Sequence, residues 1–170
     1  MWVFGYGSLM WRPGFHYVER RAALVHGYHR SLCVYSHVHR GTPHRPGLVL
    51  GLDRGGSCRG VAFLVAPAQE QATIAYLRER ELVTNVYLER SLLITLDDGR
   101  RAPALAYVVD PAHVQYAGRL DRAELLALVR QGVGRSGWNA EYVRSTHLHL
   151  EELGLVDPVL KWISDHFDES

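Results

Sequence analysis

A glycine-flanked turn near the start of the chain, Gly5-Tyr6-Gly7-Ser8-Leu9, carries the residue types of an anion-binding loop. Glycine permits positive φ and close approach of the backbone, and the amides around Gly7, Ser8 and Leu9 can converge as a nest for an anion. The hydroxyl of Ser8 adds a further hydrogen-bonding group. The turn predicts a site for a small carboxylate, and the alternative interpretation is a tight turn that only follows an edge strand.

A glutamate predicted to point inward from a helix is the second candidate group. Residues 68–83 favour a helix, on which Glu81 lies about 20° from Ile74 and about 40° from Leu77, whereas Glu79 faces the opposite, solvated side. An unpaired buried carboxylate is costly. Glu81 is therefore expected either to form a structural ion pair or to be held for proton transfer.

Helix geometry indicates which arginine could form an ion pair with Glu81. Of the two neighbouring arginines, Arg78 is three residues away and so can reach the carboxylate, whereas the adjacent Arg80 points elsewhere. An Arg78–Glu81 salt bridge is the structural alternative. A catalytic carboxylate would instead be partly desolvated, which raises its pKa toward the working pH and lets it accept and return a proton.

Two other kinds of catalytic site receive little support. The loop histidines His37, His39 and His44 suggest a metal, but neither a His-Glu-x-x-His nor a Cys-x-x-Cys motif accompanies them. Cys33 and Cys58 lie in apolar runs without a nucleophile motif, which favours core packing. We therefore predict no metal.

Composition limits the class of protein. With 170 residues, 47% apolar residues and a net charge of +1, the chain suits one domain over residues 1–170 and is a poor electrostatic binder of nucleic acid. Neither a signal peptide nor an apolar run of about 18 residues is present. We expect a cytoplasmic protein with a small-molecule ligand and no membrane or nucleic-acid partner; the oligomeric state is left open.

The elements that must position the candidate groups are strands followed by helices. Asp121 is a good N-cap, Asp98-Gly99 favours a hairpin, and a second hairpin is predicted around residues 53–56. His147 and His149 are expected to be ordinary surface or satisfied residues. This order predicts an α+β fold with a mainly antiparallel sheet able to close into a barrel. The expected strands are 22–36, as one long strand or a bent pair, and 48–52, 58–65, 86–96 and 102–110. The later helices are expected at 121–129, 139–153 and 157–167.

Several segments, taken together, resemble the bacterial branch of the ChaC family of γ-glutamylcyclotransferases. The resemblance runs from Trp2 to about Leu155 and depends on the order and spacing of the segments rather than on any one motif. The matching segments are Val3–Leu9 with Trp11, Arg40-Gly41-Thr42 with His44 and Pro46-Gly47, Tyr76–Glu81, Leu96–Arg100 and Asn139–Tyr142.

This resemblance implies a fold, a reaction and a set of site residues. The fold would be a small, mainly antiparallel β-barrel flanked by helices. The substrate would be glutathione, converted to 5-oxoproline and cysteinylglycine without added water or cofactor. Glu81 matches the acid/base of the family, and Tyr142 matches a tyrosine that lines the pocket. Tyr6, Gly7, Ser8 and Leu9 match the loop that binds the γ-glutamyl moiety through backbone amides.

Arg40 is our candidate for a charge contact with a substrate carboxylate, and its alternative is a solvated loop arginine. In eukaryotic members a Gly-Gly-Tyr follows the catalytic glutamate, whereas this chain has Leu82–Tyr87. That departure concerns the wall of the pocket rather than the chemistry. Two other functions compete: cyclisation of other γ-glutamyl amino acids or amines, and non-catalytic binding that regulates cation transport.

Overall fold

The computed structural model describes residues 1–167, which fall into two compact units. The first unit contains residues 1–31 and 51–113, and the second contains residues 32–50 and, within the described chain, residues 114–167. Within the described residues, no helix is both long enough and apolar enough to cross a lipid bilayer.

A closed barrel with the strand order β1-β3-β2-β4-β5 dominates the first unit. β1 pairs antiparallel with β3 and parallel with β5, and the pairs β2–β4 and β4–β5 are antiparallel. The predicted α+β class with a mainly antiparallel barrel is confirmed. The strands are β1 (Trp2–Gly5), β2 (Glu19–Ser36), β3 (Gly47–Leu64), β4 (Tyr87–Leu96) and β5 (Arg101–Val109).

The predicted hairpin around residues 53–56 is wrong, because β3 is one continuous strand. Gly55 and Gly56 adopt φ values of 102° and 68°, in the region that glycine enters at little cost. Glycine inside a strand is typical of a bend or bulge as well as of a turn. The two glycines therefore bend β3 without ending it. By contrast, the predicted Asp98-Gly99 hairpin joins β4 to β5.

Helix α1 (Glu70–Glu81) belongs to the first unit and begins after a 3₁₀ turn at Pro67–Gln69. Its Leu77 is fully buried in an apolar cluster with Val3, Leu9, Val65 and Tyr107. Val3 and Tyr107 lie on barrel strands, and Leu9 lies in the turn after β1. Burial of Leu77 thus fixes the C-terminal half of α1, which carries Glu81, against the turn predicted to bind an anion.

The second unit is mainly helical. Asp121 forms a capping box with Glu124, which satisfies free amides at the start of α2 as the sequence predicted. The helices α2, α3 and α4 pack against one another through buried apolar side chains such as Val129, Leu150 and Ile163. A short hairpin that we did not predict precedes α3. The elements are α2 (Arg122–Gln131), β6 (Val133–Gly134), β7 (Gly137–Trp138), α3 (Asn139–Glu152) and α4 (Pro158–His166).

Candidate active site

The turn after β1 is held in shape by its own backbone and by Arg30. Ser8 begins a 3₁₀ turn in which the amide of Met10 donates to the carbonyl of Gly7 at 2.9 Å, and the amide of Arg12 donates to that of Ser8 at 2.7 Å. Arg30 Nε donates to the carbonyl of Tyr6 at 2.6 Å. The first backbone N–H groups of a helical turn do not donate within that turn. In this turn they come from Gly7, Ser8 and Leu9, which lie before the first donor, Met10.

Positive φ is not the reason for glycine in this turn, contrary to our expectation. Gly7 has φ −132°, and Gly5 is also outside the positive-φ region. Gly5 is required by close packing, since a Cβ there would lie 3.0 Å from the Cβ of Leu9 and 3.3 Å from the amide nitrogen of Met10. The structure thus gives a steric reason for Gly5 that differs from the one we expected.

Glu81 lies at the last position of α1 and is mostly buried, with 19% of its side chain exposed. Burial raises the pKa of this carboxyl above its ordinary value, and the charge of Arg80 partly opposes the rise. Glu79 is exposed, as predicted. Glu81 therefore has the partly desolvated environment expected of a carboxyl that transfers protons.

Arg80, not Arg78, is the arginine that neighbours Glu81, so our expectation that only Arg78 could reach this carboxylate is wrong. Arg80 Nε lies 3.5 Å from Glu81 Oε1. Arg78 instead turns to β4 and donates to both carboxylate oxygens of Glu89, at 2.9 and 3.0 Å. The i,i+3 and i,i+4 rule considers only side chains on the same helix. It does not include the carboxylate of Glu89 on β4, which accepts two charge-assisted hydrogen bonds from Arg78.

The same guanidinium connects Glu81 to the glycine turn. Arg80 Nη2 donates to Ser8 Oγ at 2.9 Å, and Nη1 donates to the carbonyl of Arg12 at 2.7 Å. Nη1 also lies 3.1 Å from the hydroxyl of Tyr76, one turn earlier on α1. Arg80 thus joins the two groups that the sequence singled out. Sequence reasoning missed it, because nothing local indicates a partner 72 residues away.

A further hydrogen-bonded group lies beside this site in the first unit. The hydroxyl of Tyr107 donates to Glu89 at 2.9 Å, so Glu89 accepts from both Tyr107 and Arg78. These bonds, led by the one from Arg78, lower the pKa of Glu89. The pKa of Tyr107 is strongly raised, first by burial and then by the bond to Glu89, with a smaller contribution from the charge of Glu81. Tyr107 therefore stays protonated and keeps Glu89 ionised.

Arg40 and Tyr142 lie together in the second unit. The guanidinium of Arg40 stacks 5.5 Å from the ring centre of Tyr142, and its Nη1 donates to the carbonyl of Trp138 at 3.1 Å. The hydroxyl of Tyr142 accepts a bond from the amide of Leu50 at 3.0 Å. Both side chains are half-buried. Arg40 is therefore held in place, unlike a fully solvated loop arginine.

The remaining candidates take other places. His39 contacts Ser136 Oγ at 2.9 Å, His37 stacks on Tyr35, and His44 is exposed. Across residues 1–167, no group of three histidine, cysteine or acidic side chains is arranged to hold a metal ion. Cys33 and Cys58 are both buried, as predicted.

His147 is not the ordinary residue that we expected. It is only 7% exposed, and Nε2 lies 3.4 Å from Glu151. Its Nδ1 is buried with no hydrogen-bond partner in the part of the chain that the structure describes. The helical spacing of His147 and His149 did not reveal this, since burial depends on what packs against α3.

The family model described as ChaC-like protein matches residues 1–169. The chain belongs to the ChaC-like family. The resemblance found in the sequence is thereby confirmed, and the match spans both compact units.

Relatives within the ChaC-like family carry one activity in their names. A glutathione-specific γ-glutamylcyclotransferase of Escherichia coli (strain K12) is 37% identical over 158 residues, which cover 92% of this chain and 68% of the relative. Glutathione-specific γ-glutamylcyclotransferase 1 of Homo sapiens is 36% identical over 147 residues, covering 84% and 66%. The chain thus spans about two thirds of the length of these curated relatives.

A solved structure supports the fold independently. The crystal structure of a γ-glutamylcyclotransferase specific to glutathione from yeast superposes with a TM-score of 0.85 at 23% identity, covering 99% of this chain and 96% of the yeast chain. At this level of identity the likeness establishes the fold alone. The barrel and helices of this chain are those of a γ-glutamylcyclotransferase fold.

Proposed function

We propose that this protein is a glutathione-specific γ-glutamylcyclotransferase with Glu81 as its general acid/base. The observation that carries the proposal is the mostly buried carboxylate of Glu81, linked through Arg80 to the hydroxyl of Ser8 in the glycine turn. A structural ion pair alone would not need an anion-binding turn beside it. The activity named for the relatives in Escherichia coli and Homo sapiens points to the same reaction.

The chemistry needs one proton carrier and a folded substrate. The α-amino nitrogen of the γ-glutamyl group attacks its own γ-carbonyl carbon, a C–N bond closes the five-membered ring, and the amide bond to cysteine breaks. The attacking nitrogen is protonated near neutral pH and the departing nitrogen is a poor leaving group. Glu81 takes the proton from the ammonium and returns it to the departing nitrogen, so no water or cofactor is consumed.

The glycine turn binds and orients the substrate in this proposal. The backbone amides of Tyr6, Gly7, Ser8 and Leu9 hold the α-carboxylate of the γ-glutamyl group and the developing oxyanion. This holds the substrate in a near-attack shape, an arrangement that can supply several kcal/mol. As a separate proposal, Arg40 in the second unit offers N–H donors to a carboxylate of the substrate, with its guanidinium stacked on the ring of Tyr142.

The test is to incubate the purified protein with glutathione and to follow 5-oxoproline and cysteinylglycine by mass spectrometry. We expect both products in equal amounts, and none from γ-glutamylalanine. Glu81→Gln should lower kcat by about a hundredfold to ten-thousandfold, because the proton carrier is lost, while glutathione still binds in calorimetry. Glu79→Gln is the matched control, since Glu79 is exposed on the same helix and should leave turnover intact.

Each alternative predicts a different result in this experiment. Turnover of γ-glutamylalanine as fast as that of glutathione would indicate a broader γ-glutamyl substrate range. Binding of glutathione without either product would indicate a binding protein that regulates another process. Full activity in Glu81→Gln would show that another group carries the proton.

We also propose that residues 1–170 act as a single domain and that the protein works in the cytoplasm. The uninterrupted family match over residues 1–169 supports the first statement. Glutathione is the thiol that keeps the cytosol reducing, which supports the second. Cell fractionation with an antibody to the protein checks the location.

A further inference from the structure

We propose that Arg80 is a positioning residue that fixes the glycine turn relative to the carboxylate of Glu81. The proposal rests on the proposed function, in which the turn holds the substrate and Glu81 moves its proton. Arg80 would not touch the substrate. It acts through Ser8 on one side and through Glu81 on the other.

The hydrogen bonds of Arg80 match this role. The guanidinium is mostly buried, with 21% of the side chain exposed. Its Nη2 bonds Ser8 Oγ, at the start of the 3₁₀ turn, while Nη1 bonds the backbone carbonyls of Arg12 and Pro13, just beyond the end of that turn. One rigid, planar group therefore contacts both ends of the turn. A lysine has a single point of charge and could not make these contacts together.

Arg80 also has an electrostatic effect on Glu81. Its Nε lies 3.5 Å from Glu81 Oε1, and its charge opposes the rise in pKa that burial causes. Without that charge the carboxyl of Glu81 would hold its proton to higher pH. Geometry and charge are thus two separable contributions of one side chain, and different substitutions remove them.

A purely structural arginine would give different results. Arg78 is an example on the same helix, since its contacts are with Glu89 on β4 and its side chain is largely exposed. Loss of such a contact lowers global stability without a specific change at the turn or at Glu81. The test therefore needs readouts at these two places.

The experiment compares Arg80→Lys, which keeps the charge but loses the planar fork, with Arg80→Met, which loses both. Arg20→Met, at an exposed arginine on β2, is the matched control. Three quantities are measured: the pKa of the Glu81 carboxyl by ¹³C NMR, hydrogen exchange of the amides of Met10 and Arg12, and kcat and KM for glutathione between acid and neutral pH.

In Arg80→Met we expect the Glu81 carboxyl to titrate at higher pH, and the acid limb of the kcat profile to move in the same direction. Arg80→Lys should leave this titration close to that of the wild type. In both variants the two amides should exchange about tenfold faster and KM should rise about tenfold, the loss expected for one charge-assisted hydrogen bond to the turn. Arg20→Met should change none of these quantities.

The outcomes that overturn the two proposals differ. An active wild type with an unchanged Glu81 titration in Arg80→Met, or with unchanged exchange at the turn in both variants, would overturn the role of Arg80 alone. A wild type that makes no 5-oxoproline would overturn the proposed function and the catalytic purpose of Arg80 with it. If Arg80→Met does not fold, Ser8→Ala removes the hydrogen bond between Ser8 Oγ and Arg80 from the side of the turn. Unchanged hydrogen exchange of the Met10 and Arg12 amides in Ser8→Ala would also overturn the proposal.

Discussion

Glu81 shows how one residue can be useful for chemistry and unfavourable for stability. Its carboxyl is mostly buried, and among the described residues Arg80 forms an ion pair with it at 3.5 Å. Burial raises its pKa, so the folded protein binds this proton more tightly than the unfolded chain does. Folding stability contributed by the protonated form is therefore lost as pH rises through the raised pKa.

This sign leads to a prediction for Glu81→Gln. At neutral pH the free energy of unfolding of the variant should exceed that of the wild type by on the order of 1 kcal/mol. This difference should become smaller at acid pH, where Glu81 is protonated in the wild type. Urea unfolding followed by circular dichroism at several pH values measures it. Glu79→Gln removes an exposed carboxylate from the same helix and is the control. A difference that grows toward acid pH would show that Glu81 is stabilised by its charge.

Some elements of this fold depend on local chemistry and others on distant contacts. Helix α2 begins directly after the N-cap that the sequence predicted, because the side chain of Asp121 accepts a hydrogen bond from the amide of Glu124 at 2.8 Å. The glycine turn, in contrast, depends on Arg30 and Arg80, which reach it from β2 and α1. An element with a local cap can be altered without disturbing the site.

Asp121→Ala tests the local case. Loss of the N-cap should lower the free energy of unfolding by about 1 kcal/mol, with kcat and KM unchanged. Asp121→Asn keeps an acceptor at the cap and should recover most of that loss. Both quantities come from urea unfolding and from the glutathione assay. If Asp121→Asn were as unstable as Asp121→Ala, the charge near the helix terminus rather than the hydrogen bond would be the cause.

At the scale of the whole molecule, ion pairs tie distant parts of the first unit together. Glu19 on β2 bonds Arg21 at 2.8 Å and also contacts Arg100, which bonds Asp98 at 2.7 Å in the β4–β5 turn. The bonds from Arg21 and Arg100 lower the pKa of Glu19, and the pKa of Asp98 is lowered first by a hydrogen bond from the backbone amide of Arg100 and then by its guanidinium. Carboxylates with lowered pKa values stabilise the fold when ionised, and that contribution is lost as pH falls through the folded pKa.

We therefore expect acid to destabilise the protein. Below about pH 5 the urea midpoint should fall progressively in a single cooperative transition. Because the pairs are largely exposed, high salt at neutral pH should lower the midpoint slightly. Glu89→Gln should weaken the acid dependence, since Arg78 and Tyr107 lower the pKa of Glu89. A midpoint that does not change with acid would show that these pairs are equally formed in the unfolded chain.

Much of the fold could be predicted because its signals are local. The Asp98-Gly99 turn, the Asp121 cap and the apolar periodicity around Leu77 each depend on residues a few positions apart. The two glycines of β3 gave a wrong hairpin, because the same residues serve a turn and a bend. Whether a strand continues through them depends on pairing partners elsewhere in the barrel.

The candidate site divides in the same way. Residue order alone identified the ChaC-like family, the glycine turn and the inward face of Glu81, because periodicity and motif spacing are properties of the chain itself. Arg80 as the partner of Ser8, Arg78 as the partner of Glu89, and the buried Nδ1 of His147 emerged only from the folded molecule. Side chains choose partners by distance and burial in space, and neither can be read from the distance between residues along the chain.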